Sequence, residues 1–242
     1  MTKTACMVLA CAAAALAQSQ ISRATIDGQA GPVAGKPLEA TEVRHHQQVL
    51  GDGTKIESST SSRFYRDSMG RMRTESDERV EIYDPIAGVM YDLDPHRQTY
   101  GKTKADAGAV MIAVEGGWSH VSLSNNTQHF ERPDHSDLGI PYRRDKQTAT
   151  AKEDLPPQMM SGVLARGSRI TSTIPAGIIN NDREFKIVSE RWYSDDLQVL
   201  LKTSTSDPRF GINTYELTNI RQVSPDPALF LPPPGYTERS RP

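Results

Sequence analysis

The chain has 242 residues, 36% of them hydrophobic and 24% charged, with 28 Lys+Arg against 30 Asp+Glu for a formal net charge of -2. That near-balance, with the charges interspersed, provides no basic face for nucleic acid, and the length suffices for one domain or a tight pair. Both cysteines, Cys6 and Cys11, lie within the first 17 residues, so a chain cleaved after Ala17 has no disulfide, thiolate metal site or cysteine nucleophile.

Residues 1–17 read as a secretory signal peptide. Met1-Thr2-Lys3 is a short basic start, Ala5 to Leu16 is almost unbroken apolar sequence, and Ala15-Leu16-Ala17 offers small residues to a peptidase. The alternative is a lipobox, Val8-Leu9-Ala10-Cys11, which would tether the protein through a lipid on Cys11. No later segment reaches the roughly 20 apolar residues that a membrane-spanning helix needs. The expected location is periplasmic or extracellular. Residues 18–37, with Gly28, Gly31, Pro32, Gly35 and Pro37, read as a flexible leader.

From Leu38 the pattern becomes that of strands. Leu38 to Leu50 and Thr54 to Asp67 flank Gly51-Asp52-Gly53, a turn in which glycine accepts positive φ. Phe64-Tyr65 and Met72 flank an Asp67–Gly70 turn. Val80 to Tyr83, Gly88 to Leu93 and Arg97 to Tyr100 read as short strands separated by Asp84-Pro85 and Asp94-Pro95 turns. Val89, Tyr91 and Leu93 alternate with Met90, Asp92 and Asp94, the period of a half-buried strand.

Lys102 to Glu115 reads as an amphipathic helix or loop cover, with Ala107, Val110, Met111 and Val114 on one side. Gly116 to Lys152 is polar and His-rich and reads as a long surface loop; together 102–157 form an expected insertion in the domain 38–236. Strand character returns over Gln158 to Thr173. Glu184 to Tyr193, Leu197 to Ser204 and Gly211 to Val223 follow as three consecutive antiparallel strands. Asp226 is placed to cap a short helical turn through Phe230, Pro232 to Tyr236 is extended, and 237–242 is a tail. The expected fold is mainly β: a strongly curved antiparallel sheet or open half-barrel with one or two short helices and a long insertion.

Three blocks carry a resemblance. They are Phe64-Tyr65-Arg66-Asp67 with Gly70-Arg71-Met72-Arg73 and Tyr83-Asp84-Pro85; Glu190-Arg191-Trp192-Tyr193-Ser194-Asp195-Asp196-Leu197; and Asp226-Pro227-Ala228-Leu229-Phe230 closing on Pro233-Pro234-Gly235-Tyr236. They resemble an exported bacterial family of uncharacterised proteins. More distantly, strand order and the Pro-Pro-Gly-Tyr close resemble the periplasmic lipoprotein-carrier superfamily. That resemblance implies an incomplete curved β-barrel with an apolar cavity for acyl chains or a protein segment.

The chemistry-bearing residues are sparse. His120, His129, Glu131, Asp134 and His135 cluster in the polar segment at spacings that match no metal template, and they read as solvated loop histidines. His45 and His46 are adjacent and face opposite ways on a strand. Asp84, Asp92, Asp94, Asp195 and Asp207 read as turn and surface carboxylates. There is no nucleophile elbow and no phosphate-binding loop. The expectation is a non-enzymatic protein without cofactor or metal. It would hold a lipid, a lipidated protein or another apolar ligand against the concave face, with Phe64, Tyr83, Tyr91, Phe185 and Trp192 as candidate lining. The alternative is an envelope interaction or sensor module that meets a membrane-anchored protein through the insertion or a sheet edge.

Overall fold

The computed structural model describes residues 33–105, 110–114, 117–121 and 149–239, with the backbone alone described over 110–114 and 117–121. The export signal, most of the leader, and the cluster His129, Glu131, Asp134 and His135 lie outside these residues. Fourteen strands are present among them: β1 (Leu38–Val49), β2 (Lys55–Arg66), β3 (Met72–Glu75), β4 (Val80–Asp84), β5 (Val89–Asp94), β6 (Thr99–Lys104), β7 (Val110–Val114), β8 (Gly117–Val121), β9 (Ala149–Met160), β10 (Val163–Ile174), β11 (Phe185–Ser194), β12 (Val199–Asp207), β13 (Gly211–Arg221) and β14 (Thr237–Glu238). Twelve form one sheet in the order β14-β6-β5-β4-β3-β2-β1-β13-β12-β11-β10-β9, and β7 pairs with β8 separately. All pairings are antiparallel except β14 with β6. The fold is therefore the mainly-β, curved, unclosed sheet expected from the pattern of strands and turns.

The Asp-centred turns behave as their chemistry requires. One carboxylate oxygen of Asp84 accepts from the N–H groups of Ile86 and Ala87, both at 2.9 Å, and Asp67 does the same for Met69 and Arg71. Asp226 accepts from Ala228 N–H at 2.9 Å and caps the 3-10 turn Pro227–Phe230. Each oxygen satisfies N–H groups that the tight turn leaves without a ladder partner.

Two segments differ from the sequence reading. The expected helix or cover over Lys102 to Glu115 is instead the end of β6 and the whole of β7. Val110-Met111-Ile112-Ala113-Val114 is apolar and partly β-branched, and pairing with Gly117–Val121 satisfies its backbone where helical spacing alone would not. The strand character read over Gln158 to Thr173 is that of a hairpin, the end of β9 and nearly all of β10. Ser161 and Gly162 both have positive φ, 46° and 79°, the backbone of a two-residue hairpin turn. β9 also starts at Ala149, within the stretch read as surface loop.

Curvature is visible in the contacts of one side chain. Arg66, at the end of β2, donates to the carbonyls of Lys36 (2.9 Å), Gln198 (3.2 Å) and Leu197. Leu197 and Gln198 precede β12, which is separated from β2 by β1 and β13. In a flat sheet three strand steps span roughly 14 Å, about twice the reach of an arginine side chain. The sheet is therefore curled toward the face that carries Arg66, which we call the inner face.

The apolar side chains gather at this closed end. Leu38, Ala40, Phe64, Val163, Ala165, Trp192, Leu197, Val199, Leu201, Tyr215 and Leu217 form the main cluster. A second cluster, Val80, Ile82, Leu93 and Phe230, lies on the outer face of β4 and β5, where the 3-10 turn inserts Phe230. The C-terminal segment then pairs Thr237–Glu238 with Thr99–Tyr100 and so covers one edge of the sheet. Arg239 crosses Gly101 to reach Asp92 at 2.9 Å.

Candidate functional site

Pairing register assigns each strand residue to a face. On the inner face, one transverse row reads Thr60, Arg44, Tyr215, Thr203, Arg191, Ser168 and Asp154, each directly opposite the next. The next row toward the open end reads Ser58, His46, Asn213, Thr205, Ser189, Ile170 and Lys152. His46 Nδ1 lies 2.8 Å from Asn213 Oδ1, and His45 faces the other way, as two adjacent strand residues must. The open half of the inner face is thus rich in hydroxyls. It also carries an apolar strip on β10 and β11: Ile170, Ile174, Phe185 and Ile187.

The structure separates the five aromatic candidates. Phe64, Tyr83 and Phe185 fall in inner-face rows, and Tyr91 pairs opposite Ile82 in a row of the outer face. Trp192 lies at a register shift between β11 and β12 and belongs to the main buried cluster. Phe64 and Tyr83 are almost fully enclosed, at 1% and 3% exposure. The space around Phe64, Met72, Tyr83 and Met90 amounts to about 10 Å³, room for at most one water. Tyr91 makes an edge-on contact with Tyr100, ring centroids 6.0 Å apart. Phe185 stands half-buried at the rim with the Arg209 guanidinium 5.3 Å from its ring. Ile170, Ile174 and Ile187 were not singled out from the sequence. Their alternation with Thr171, Thr173 and Val188 signals a strand with one apolar face, but only pairing with β11 shows which face it is.

Trp192 owes its position to Gly167, directly opposite on β10. A Cβ there would sit 2.5 Å from Trp192 Cζ3. Gly167→Ala is therefore expected to displace the indole and destabilise the fold by about 1–3 kcal/mol, the range for overpacking. Urea unfolding with tryptophan emission as probe measures both effects together.

A polar network marks the boundary between the filled end and the open half. Glu42, 1% exposed, accepts from Ser62 Oγ (2.9 Å) and from the Tyr215 hydroxyl (3.4 Å). The Arg44 guanidinium lies 3.5 Å from Glu42 and stacks 5.0 Å above the Tyr215 ring. Burial pushes the Tyr215 phenol well above its ordinary value, and the Glu42 charge adds to this. Glu81, on the inner face of β4, is also held above the usual carboxylate value, first by burial and against the attraction of Arg79.

A carboxyl whose folded pKa is raised binds its proton more tightly in the native state. Its favourable contribution is present at acid pH and is lost as pH rises through the folded value. Glu81→Gln should therefore melt higher than the parent at pH 7, with the difference vanishing below the carboxylate range. Paired thermal melts across pH measure this; a variant less stable at pH 7 would mean that the Arg79 contact outweighs burial.

At the closed end, a cleft of about 600 Å³ opens between Lys36-Pro37, the β9–β10 turn and Asp196-Leu197. Among the described residues no group of three His, Cys, Asp or Glu side chains could hold a metal ion, and no helix is long and apolar enough to cross a membrane.

No family model matches the sequence, and no curated protein does. Solved structures do resemble the fold. An uncharacterised conserved protein from Thermus thermophilus is 8% identical, with 93% of this chain and 99% of that one covered at a TM-score of 0.42. MucB is 12% identical; 90% of this chain matches 62% of its length at 0.38. A LolA superfamily protein from Nitrosomonas europaea is 10% identical over 83% and 92% of the two chains at 0.25.

Proposed function

We propose that the protein is an exported, non-enzymatic binding protein that holds a lipid, or another ligand with an apolar body, against the inner face of the curved sheet. The observation that supports this reading is the strip Ile170, Ile174, Phe185 and Ile187 on the inner face of the open half. Three of its members, Ile170, Phe185 and Ile187, are only half-buried, whereas the closed end is packed with side chains. An apolar ligand body gains about 25 cal/mol for each Å² it removes from water, so such a strip beside hydroxyl groups suits a molecule with both an apolar and a polar part. Organic extraction of the protein purified from envelope or medium, followed by mass spectrometry, should yield a bound lipid. Ile170→Ser with Ile187→Ser should remove it. A lipid-free protein that also takes up no fatty-acid probe would end this reading.

A second reading rests on β9. Among the described residues it ends the sheet at one side, and Ala149 to Asp154 is exposed throughout. An envelope protein could add a strand there by backbone pairing, as far as Pro156-Pro157, which lack donors. Capture of a membrane-anchored protein from envelope extract, lost when Thr150 and Lys152 are replaced by proline, would support it.

A further inference from the structure

Most charges on the sheet are paired, on the inner face of β4 and β5 as well, where Arg79 meets Glu81 at 3.0 Å and Asp92 at 2.7 Å. On the outer face they pair across strands: Arg221 with Glu39, Lys202 with Glu216 at 3.4 Å, and Arg169 with Glu190 at 2.8 Å and Glu153 at 3.2 Å. On the inner face Arg44 is held in place but not neutralised in the same way. Its side chain is 25% exposed, its one ion contact among the described residues is the 3.5 Å approach to Glu42, and its flat side rests on Tyr215. Glu42 is already engaged by Ser62 and Tyr215. The Tyr215 ring and the Glu42 carboxylate bracket the guanidinium, which has five N–H donors. None of Arg44's is used in a close hydrogen bond among the described residues.

The neighbours of Arg44 suit the same chemistry. Thr60 and Tyr215 flank it, Thr203 follows, and Arg191 stands in the same row three strand steps away. Curvature toward this face brings side-chain ends closer than the roughly 14 Å of a flat sheet. The apolar strip lies on the same face, on β10 and β11. An elongated molecule that starts at Arg44 and runs obliquely toward the open end of β10 and β11 therefore meets a guanidinium at one end, and Ile170 in the adjoining row and Ile187 one row beyond at the other.

We propose that Arg44 is the anchor for an anionic headgroup, a carboxylate or phosphate, of an amphiphile whose apolar chain lies over Ile170 and Ile187. This inference rests on the binding reading above and adds the charge of the ligand to it. Fork-shaped donation to a carboxylate or phosphate gives both orientation and strength, and neutral headgroups forfeit it.

The test uses the mature protein and two ligands of equal chain length, laurate and dodecanol, with inorganic phosphate as a headgroup without a chain, all by calorimetry. Laurate should bind about tenfold or more tightly than dodecanol, the scale of a charge-assisted hydrogen bond. Arg44→Gln should abolish the difference while leaving dodecanol affinity unchanged, and Arg44→Lys should restore part of it. Thermal melts of both variants verify folding. Equal affinities in the parent, or a preference that survives Arg44→Gln, would overturn the anchor and leave the lipid reading standing. Binding of phosphate alone, lost in Arg44→Gln, would keep the anion site and overturn the lipid reading. No uptake of any of the three would overturn both.

Discussion

Arg66→Met should lower the free energy of unfolding by about 3 kcal/mol, read as a shift of the urea midpoint at unchanged slope and a fall in Tm of roughly 6–12 °C. Arg66 is 1% exposed, and its three described contacts are backbone carbonyls of Lys36, Leu197 and Gln198. Burial alone pushes its guanidinium down to about 10, with the nearby Tyr193 acting weakly the other way. A buried cation without a carboxylate is tolerated only while its donors are spent, and here they are spent on joining the end of β2 to the turn before β12. Methionine fills much of the volume but leaves the buried Leu197 carbonyl without its donor, so the usual near-neutrality of replacing a buried ion by an apolar residue does not apply. The carbonyls of Lys36 and Gln198 belong to exposed residues and can recover water, which is why the expected loss is that of about one to two charge-assisted bonds, not three. Arg66→Lys should fall between, since one ammonium cannot span the three sites. A change below about 1 kcal/mol in Arg66→Met would mean that apolar packing alone curls the sheet.

The second large effect is expected at the other cluster. Phe230→Ala should cost about 3–5 kcal/mol, the range for deleting a buried aromatic ring. Phe230 is 0% exposed among Val80, Ile82 and Leu93, with the Arg71 guanidinium 4.9 Å over its ring. Arg71 is held by Asp67 at 2.7 Å, and Arg73 donates to the Leu229 carbonyl at 2.9 Å. Losing the ring removes what fastens the C-terminal segment to β3 and β4. Hydrogen exchange should therefore rise first in β4, β5, β6 and β14, while β10 to β13 keep their protection. Uniform loss across the sheet would show instead that the two clusters unfold as one unit.

These two sites also explain the sequence blocks that carried the resemblance. Phe64 packs the main core, Arg66 ties the curl, Asp67 and Gly70 make the turn, and Arg71 and Arg73 grip the closing block around Phe230. Blocks more than 150 residues apart meet around one ring.

What the sequence by itself determined is local: where strands run and where they stop. Alternation in Val89–Asp94 and Asp or Gly at the turns are short-range chemistry, legible because the same few residues that carry the signal make the hydrogen bonds. Val110–Val114 misled because a five-residue apolar run satisfies helical and strand spacing alike, and its pairing with Gly117–Val121 decides between them. Tertiary structure alone decided which face of each strand is enclosed. Phe185 and Tyr91 read alike as strand aromatics, yet lie in inner and outer rows because a single step of register reverses every side chain. It also decided that Arg44, inconspicuous in the sequence beside His45 and His46, stands on the inner wall opposite Tyr215. That relation spans 171 positions of chain, from 44 to 215. It depends on the ends of the domain, β1 and β13, pairing with each other, and no periodicity within either strand encodes that pairing.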